Sequence, residues 1–138
     1  MPSTSGYSKT PLSKKLGFKS NFSVYLINPP DGYWKLFDVL PEGIREVESP
    51  EEGSLDFIHF FCTSMAGLKE HAIKCKNLLK KDGMLWVSWP KGNSKIPTDL
   101  KREPIRDHVL KIGLVDIKVC AVNEDWSGLK FVYHTADR

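Results

Sequence analysis

The chain has 138 residues, enough for one domain that buries roughly two-thirds of its unfolded surface without staples. An apolar content of 41% and a charged content of 27% are ordinary for a soluble globular protein, and no apolar run approaches the ~20 residues of a membrane span. The formal charge of +3 is uneven: residues 1–30 carry four lysines and no acid, while residues 31–138 carry 16 basic and 17 acidic side chains, so nucleic-acid binding through a basic stripe is not expected.

The first segment, MPSTSGYSKTPLSKKLG, lacks an apolar core of signal-peptide length. Residues 1–17 are expected to be a flexible leader with one short helix, capped by Thr10, with Pro11 at its first position and Gly17 at its end. Leu12 and Leu16, four apart, can dock it while Lys14 and Lys15 stay wet. Ser23–Asn28 is a continuous apolar strand of the kind buried on both faces of a parallel sheet. Tyr33–Leu40 reads as a short helix closed by Pro41-Glu42-Gly43, and Ile44–Glu48 as a short strand. Glu42 to Asp56 carries six acids against Arg45. Leu55–Cys62 is a second apolar strand.

Ser64–Lys81 is the clearest helix, with Met65, Leu68, Ala72, Cys75 and Leu79 on one face and Gly83 as its stop. Met84–Trp89 is another buried strand. Thr98 is the expected cap of the next helix, with Asp99 in its first turn; Pro104 predicts a kink or a fresh start there. Leu114–Val122 and Leu129–His134 are joined by too short a turn for a crossover, so they form an antiparallel hairpin. The order predicts an α/β domain over residues 18–138, a doubly wound, mostly parallel sheet with an antiparallel edge.

From Leu55 to His134 the pattern resembles the second half of a class I methyltransferase, and LLKKDGMLWVS resembles the approach to the fifth strand of those enzymes. GYSKTPLSKKLGF, LPEGI, LWVSWPKGNS and GLVDIKVCAVNEDWSGLKF together resemble the bacterial family called domain of unknown function 3052. That resemblance implies a small, shortened methyltransferase-like Rossmann fold and carries no catalytic assignment. The chain departs from it in NPP where NAP is expected and in Pro104 inside a helix.

Methyltransferases hold S-adenosylmethionine against a glycine-rich turn after the first strand. Here Pro29 and Pro30 remove two backbone donors from that turn and only Gly32 remains, so no cofactor is predicted and S-adenosylmethionine is disfavoured. Glu46 or Glu48 stands near where a ribose-binding acid belongs, yet about seven residues before the next strand leave no room for the usual third strand and helix. Asn28-Pro29-Pro30 is not the N-P-P-aromatic signature of amino-methyltransferases, because Asp31-Gly32 occupies the aromatic position. His59, inside DFIHFF, is expected to be a hydrogen-bonded core histidine, and His108 to be exposed. His71, His108 and His134 show no metal spacing with each other or with Cys62, Cys75 and Cys120. No C-x-x-C pair occurs, and reduced thiols in a cytoplasmic protein are expected. No serine or cysteine sits in an activated setting.

One location remains. Ligands of open doubly wound sheets bind outside the carboxyl ends of the strands. The candidate residues there are Asn28, Asp31, Thr63, Ser64, Ser88, Trp89, Lys91, Ser94 and Lys95. They suit an anionic or nucleotide-like small molecule, with Trp89 either stacking on it or lying in the core. The expected function is a non-catalytic module that binds such a ligand or a protein partner, with an apolar patch around Trp34, Phe37 or Trp126 as one docking surface. The alternative is an enzyme with a modified site at the same strand ends. Self-association through the final hairpin is a third reading.

Overall fold

The computed structural model describes residues 10–138; the first nine residues of the expected leader lie outside that range. Helix α1 spans Leu12–Leu16, followed by β1 (Ser23–Ile27), a single 3₁₀ turn (Tyr33–Leu36), β2 (Arg45–Glu46) and β3 (Leu55–Phe61). Then come α2 (Met65–Leu78), β4 (Leu79–Pro90), α3 (Arg102–Lys111), β5 (Leu114–Ala121), β6 (Trp126–Tyr133) and a terminal 3₁₀ turn (Thr135–Asp137). The six strands form one sheet in the order β2-β1-β3-β4-β6-β5. β2, β1, β3 and β4 are parallel, and β6 runs antiparallel to both β4 and β5. This is the expected mostly parallel sheet with an antiparallel hairpin at one edge. Among the described residues no helix is long and apolar enough to cross a membrane.

Two cores lie on opposite faces. α2 and α3 cover one, burying Leu68, Ala72, Cys75, Ile105 and Val109 against Ile58, Phe60, Leu85 and Phe131. The other is covered by α1 and the turn after β1, and is aromatic: Phe18, Tyr33, Phe37, Phe57, Phe61, Trp86 and Trp126. Phe18 stacks on Phe57 at 4.1 Å and meets Phe37 edge-on at 5.3 Å. Rings bury large areas with few residues, which lets a single turn do the covering a helix would otherwise do. α1 is part of this layer, since Leu16 is fully buried and Trp86 Nε1 donates to its carbonyl at 2.8 Å.

The expected boundaries shift for identifiable reasons. The helix expected over Tyr33–Leu40 is one 3₁₀ turn, because Phe37 takes extended backbone (φ −109°, ψ 127°) to bury beside Tyr33 and Phe18. α2 ends at Leu78, ahead of Gly83. Its last carbonyls are taken from outside the helix: Tyr133 Oη donates to Lys76, and the Gly53 and Ser54 amides donate to Asn77 and Leu78. The chain can therefore enter β4 directly at Leu79. Gly83 serves close packing instead, since a Cβ there would lie 2.8 Å from the Leu55 carbonyl oxygen. Pro104 is the third residue of α3, inside the first turn, where its missing N–H costs nothing.

Candidate functional site at the strand ends

At the end of β1, Asn28 has φ 53°, and Asn28 and Asp31 are both exposed. A left-handed asparagine followed by two prolines makes a stiff turn that presents carbonyls and lacks two successive amide donors.

At the end of β3 the backbone opens into α2. Ser64 caps that helix, its Oγ accepting from the Gly67 amide at 3.0 Å. The Met65 amide donates to Asp99 Oδ1 at 3.0 Å. Thr98 Oγ1 donates to the Thr63 carbonyl at 2.7 Å, and the Asp99 amide reaches the same oxygen at 3.3 Å. Thr98 and Asp99 were expected to open α3, but they serve α2, and α3 starts three residues later. A carboxylate of the chain thus occupies the helix end where an anion would dock. Asp99→Ala is expected to cost about 1 kcal/mol of stability, as loss of a helix cap does, and denaturant titration measures it.

At the end of β4, Ser88 is fully buried on the aromatic side of the sheet, and Trp89, 8% exposed, lies in the α2 and α3 core. Beyond them the Lys91 amide donates to the Asp125 carbonyl at 2.8 Å, the Ser94 amide to Lys91 at 2.9 Å and the Ile96 amide to Ser94 Oγ at 3.1 Å. Lys91 is half-buried and Lys95 exposed. The nine candidate residues therefore separate. Thr63 and Ser64 are bound up with Thr98 and Asp99, Ser88 and Trp89 face the interior, and Asn28, Asp31 and Lys95 face solvent.

Ser88 belongs to a group whose separate members do not show their connection in the sequence. His59 Nε2 lies 2.7 Å from Ser88 Oγ, and Tyr33 Oη lies 2.8 Å from His59 Nδ1. Serine against imidazole is the beginning of a nucleophile pair. Here it cannot act as one. His59 and Ser88 are 0% exposed, and burial lowers the His59 pKa to about 3, far too weak a base. Gly128 closes the other side, where a Cβ would stand 3.1 Å from Ser88 Oγ. Burial also raises the Tyr33 hydroxyl well above its usual range. The trio is a buried polar network, in keeping with the expected core histidine. The thiols are equally inert, since burial first of all pushes Cys62 and Cys75 up to about 12. Among the described residues no cluster of His, Cys, Asp or Glu could hold a metal.

Of the two acids near the ribose position, Glu48 is exposed just beyond β2 and Glu46 fails on register. Glu46 pairs with Val24, three residues short of the end of β1, about 10 Å below the carboxyl edge. Its Oε1 accepts from Trp34 Nε1 at 2.7 Å. Trp34, Leu40, Pro41, Gly43, Ile44 and Glu46 line an open cavity of about 340 Å³ against the β2 edge. Of the three residues expected in an apolar patch, Phe37 and Trp126 are each only 9% exposed, and Trp34 is half-buried at this cavity. His108, expected to be exposed, is half-buried, and its Nε2 has no partner.

Solved structures share the fold. A TehB-like SAM-dependent methyltransferase from Corynebacterium glutamicum superposes with TM-score 0.59 at 11% identity, covering 89% of this chain and 85% of that one. A SAM-dependent methyltransferase from Aquifex aeolicus gives 0.53 at 12% identity, over 86% and 85%. The Burkholderia thailandensis 1,6-didemethyltoxoflavin-N1-methyltransferase, solved with S-adenosylhomocysteine bound, gives 0.56 at 13% identity, over 87% and 73%. At these identities the fold alone is shared. No protein-family model and no curated protein sequence matches the chain, so the resemblance to the domain of unknown function 3052 family rests on its motifs.

Proposed function

We propose that this chain is a non-catalytic cytoplasmic binding module on a shortened methyltransferase-like fold, a member of the domain of unknown function 3052 family. The reading is carried by the Asp99 carboxylate on the Met65 amide, an internal anion at the helix end nearest the crevice. The proline pair at the β1 turn and the displacement of Glu46 below the strand ends support it. The residues present fit S-adenosylmethionine poorly: the donors its carboxylate would use are missing or taken, and Glu46, the acid that ends β2, is bound to an indole below the strand ends. Asn28, Asp31, Lys91 and Lys95 still offer a shallow polar surface for an anionic small molecule or a protein. Lys91, Ser94 and Lys95 also supply the alternative, an enzyme with a remodelled nucleotide site.

Thermal melting against S-adenosylmethionine, S-adenosylhomocysteine and nucleoside phosphates separates the two. A ligand at ~100 times its dissociation constant stabilises by about 2.7 kcal/mol, which moves the midpoint of a chain this size by several degrees. No shift is expected with either S-adenosyl compound. A shift of several degrees with one of them would replace the binding module by the enzyme.

A further inference from the structure

Lys15 of the leader does not stay apart from the fold. Lys118 of β5 and Lys130 of β6 are direct cross-strand partners, two like charges side by side on one face, an arrangement that is ordinarily destabilising. Lys118 Nζ donates to the Lys15 carbonyl at 2.8 Å, joining residues 103 positions apart. Lys130 is half-buried, with its ammonium beside Gly17, where a Cβ would lie 3.1 Å from it, and the charges of Lys118 and Lys19 both act on it. The charges of Lys15, Lys118 and Lys91 all reach Cys120, which extends the group towards the carboxyl end of β4. Among the described residues the ion pairs lie elsewhere, and none includes Lys15, Lys19, Lys91, Lys118 or Lys130. Residues 1–9 contain no acid to supply one.

Lys118 and Lys19 repel the half-buried Lys130 ammonium, Lys15 and Lys91 add charge on the same side, and anions would relieve that repulsion. We propose that this face binds a run of phosphates, supplied by inorganic polyphosphate or by the backbone of a single-stranded nucleic acid. The spread over several elements suits a chain of charges better than a lone ion. Lysines are compact point charges suited to phosphate, and the group has no arginine to fork onto the carboxylates of an acidic protein. Trp86 and Trp126 beneath it are buried, so no ring is offered for base stacking and recognition is independent of sequence. Exposed Ile117 and Val119 line the α3 side of the hairpin, and the lysine face has no comparable wedge for a lipid bilayer. The site is independent of the strand-end reading.

The test is fluorescence anisotropy with a labelled oligothymidylate of about 20 nucleotides, competition with inorganic polyphosphate, and co-sedimentation with phosphatidylglycerol vesicles. The expected result is binding whose logarithm falls with the logarithm of salt at a slope of roughly −3, as four to five phosphate contacts on a single strand require. Combining Lys118→Gln with Lys130→Met should weaken binding at low salt at least about tenfold and reduce the slope by roughly 1.4, without lowering the melting temperature. Lys19→Gln, at an exposed position, is a milder second variant expected to reduce the slope by roughly 0.7, and Lys74→Gln on α2 should change nothing. Competition by polyphosphate with no oligonucleotide binding would support the run of phosphates and name its source. Absence of binding to both polymers at low salt, binding indifferent to the lysine variants, or binding to vesicles alone would overturn the proposal.

Discussion

Lowering the pH from 6.5 to 3.5 is expected to remove about 4 kcal/mol of folding stability through His59 alone. Burial holds the folded-state pKa at about 3, against 6.5 for an ordinary histidine. Above pH 6.5 the ring is neutral in both states and contributes no pH dependence. Below it the unfolded chain takes up a proton that the native chain refuses, so stability falls by about 1.4 kcal/mol per pH unit until the folded pKa is reached. Urea midpoints of the wild type and His59→Gln at pH 7, 5.5 and 4 isolate this effect, because the carboxylates titrate alike in both. At pH 7 the variant should be less stable by about 2 kcal/mol, for the partners it leaves unpaired. That gap should close and reverse as the pH falls. A gap constant with pH would mean that His59 is not held neutral in the core.

Trp86→Ala is expected to destabilise the protein by about 5 kcal/mol, near the top of the range for a buried ring. Trp86 sits at the centre of β4, fully buried, and its indole N–H is also the tie to the Leu16 carbonyl of α1. Trp86→Phe keeps most of the packing and breaks the tie, and should cost about 2 kcal/mol by leaving a buried carbonyl unpaired. Amide exchange of Gly17 and Phe18 should accelerate in the phenylalanine variant more than exchange in α2. Equal acceleration in both would show that α1 does not depend on this bond.

The parallel strands were legible because LDFIHFF and MLWVSW are continuous apolar runs with no helical period, and the hairpin because its connection is too short for a crossover. The first residues of β4, Leu79 to Gly83, were not legible. Lys80, Lys81 and Asp82 look like a helix end, and what stops α2 is supplied by Tyr133, Gly53 and Ser54 from elsewhere in the chain. Asp99 was read as the start of α3 for a similar reason: a threonine–aspartate pair announces a helix start without saying whose. His59 was legible as a core residue from its apolar neighbours, while Tyr33 and Ser88 as its partners were not, since they lie 26 and 29 positions away. Counting lysines by segment does not show the register that sets Lys118 beside Lys130.

The proposed closure of the strand-end crevice is tested most directly by recording backbone amide spectra while S-adenosylmethionine is added to millimolar concentration. The amides of Asp31, Gly32, Thr63, Ser64 and Met65 are predicted to stay in place, as Asp99 already holds the Met65 donor. Saturable shifts confined to those amides would show a cofactor seated at the strand ends, and would contradict a crevice closed by the protein's own side chains.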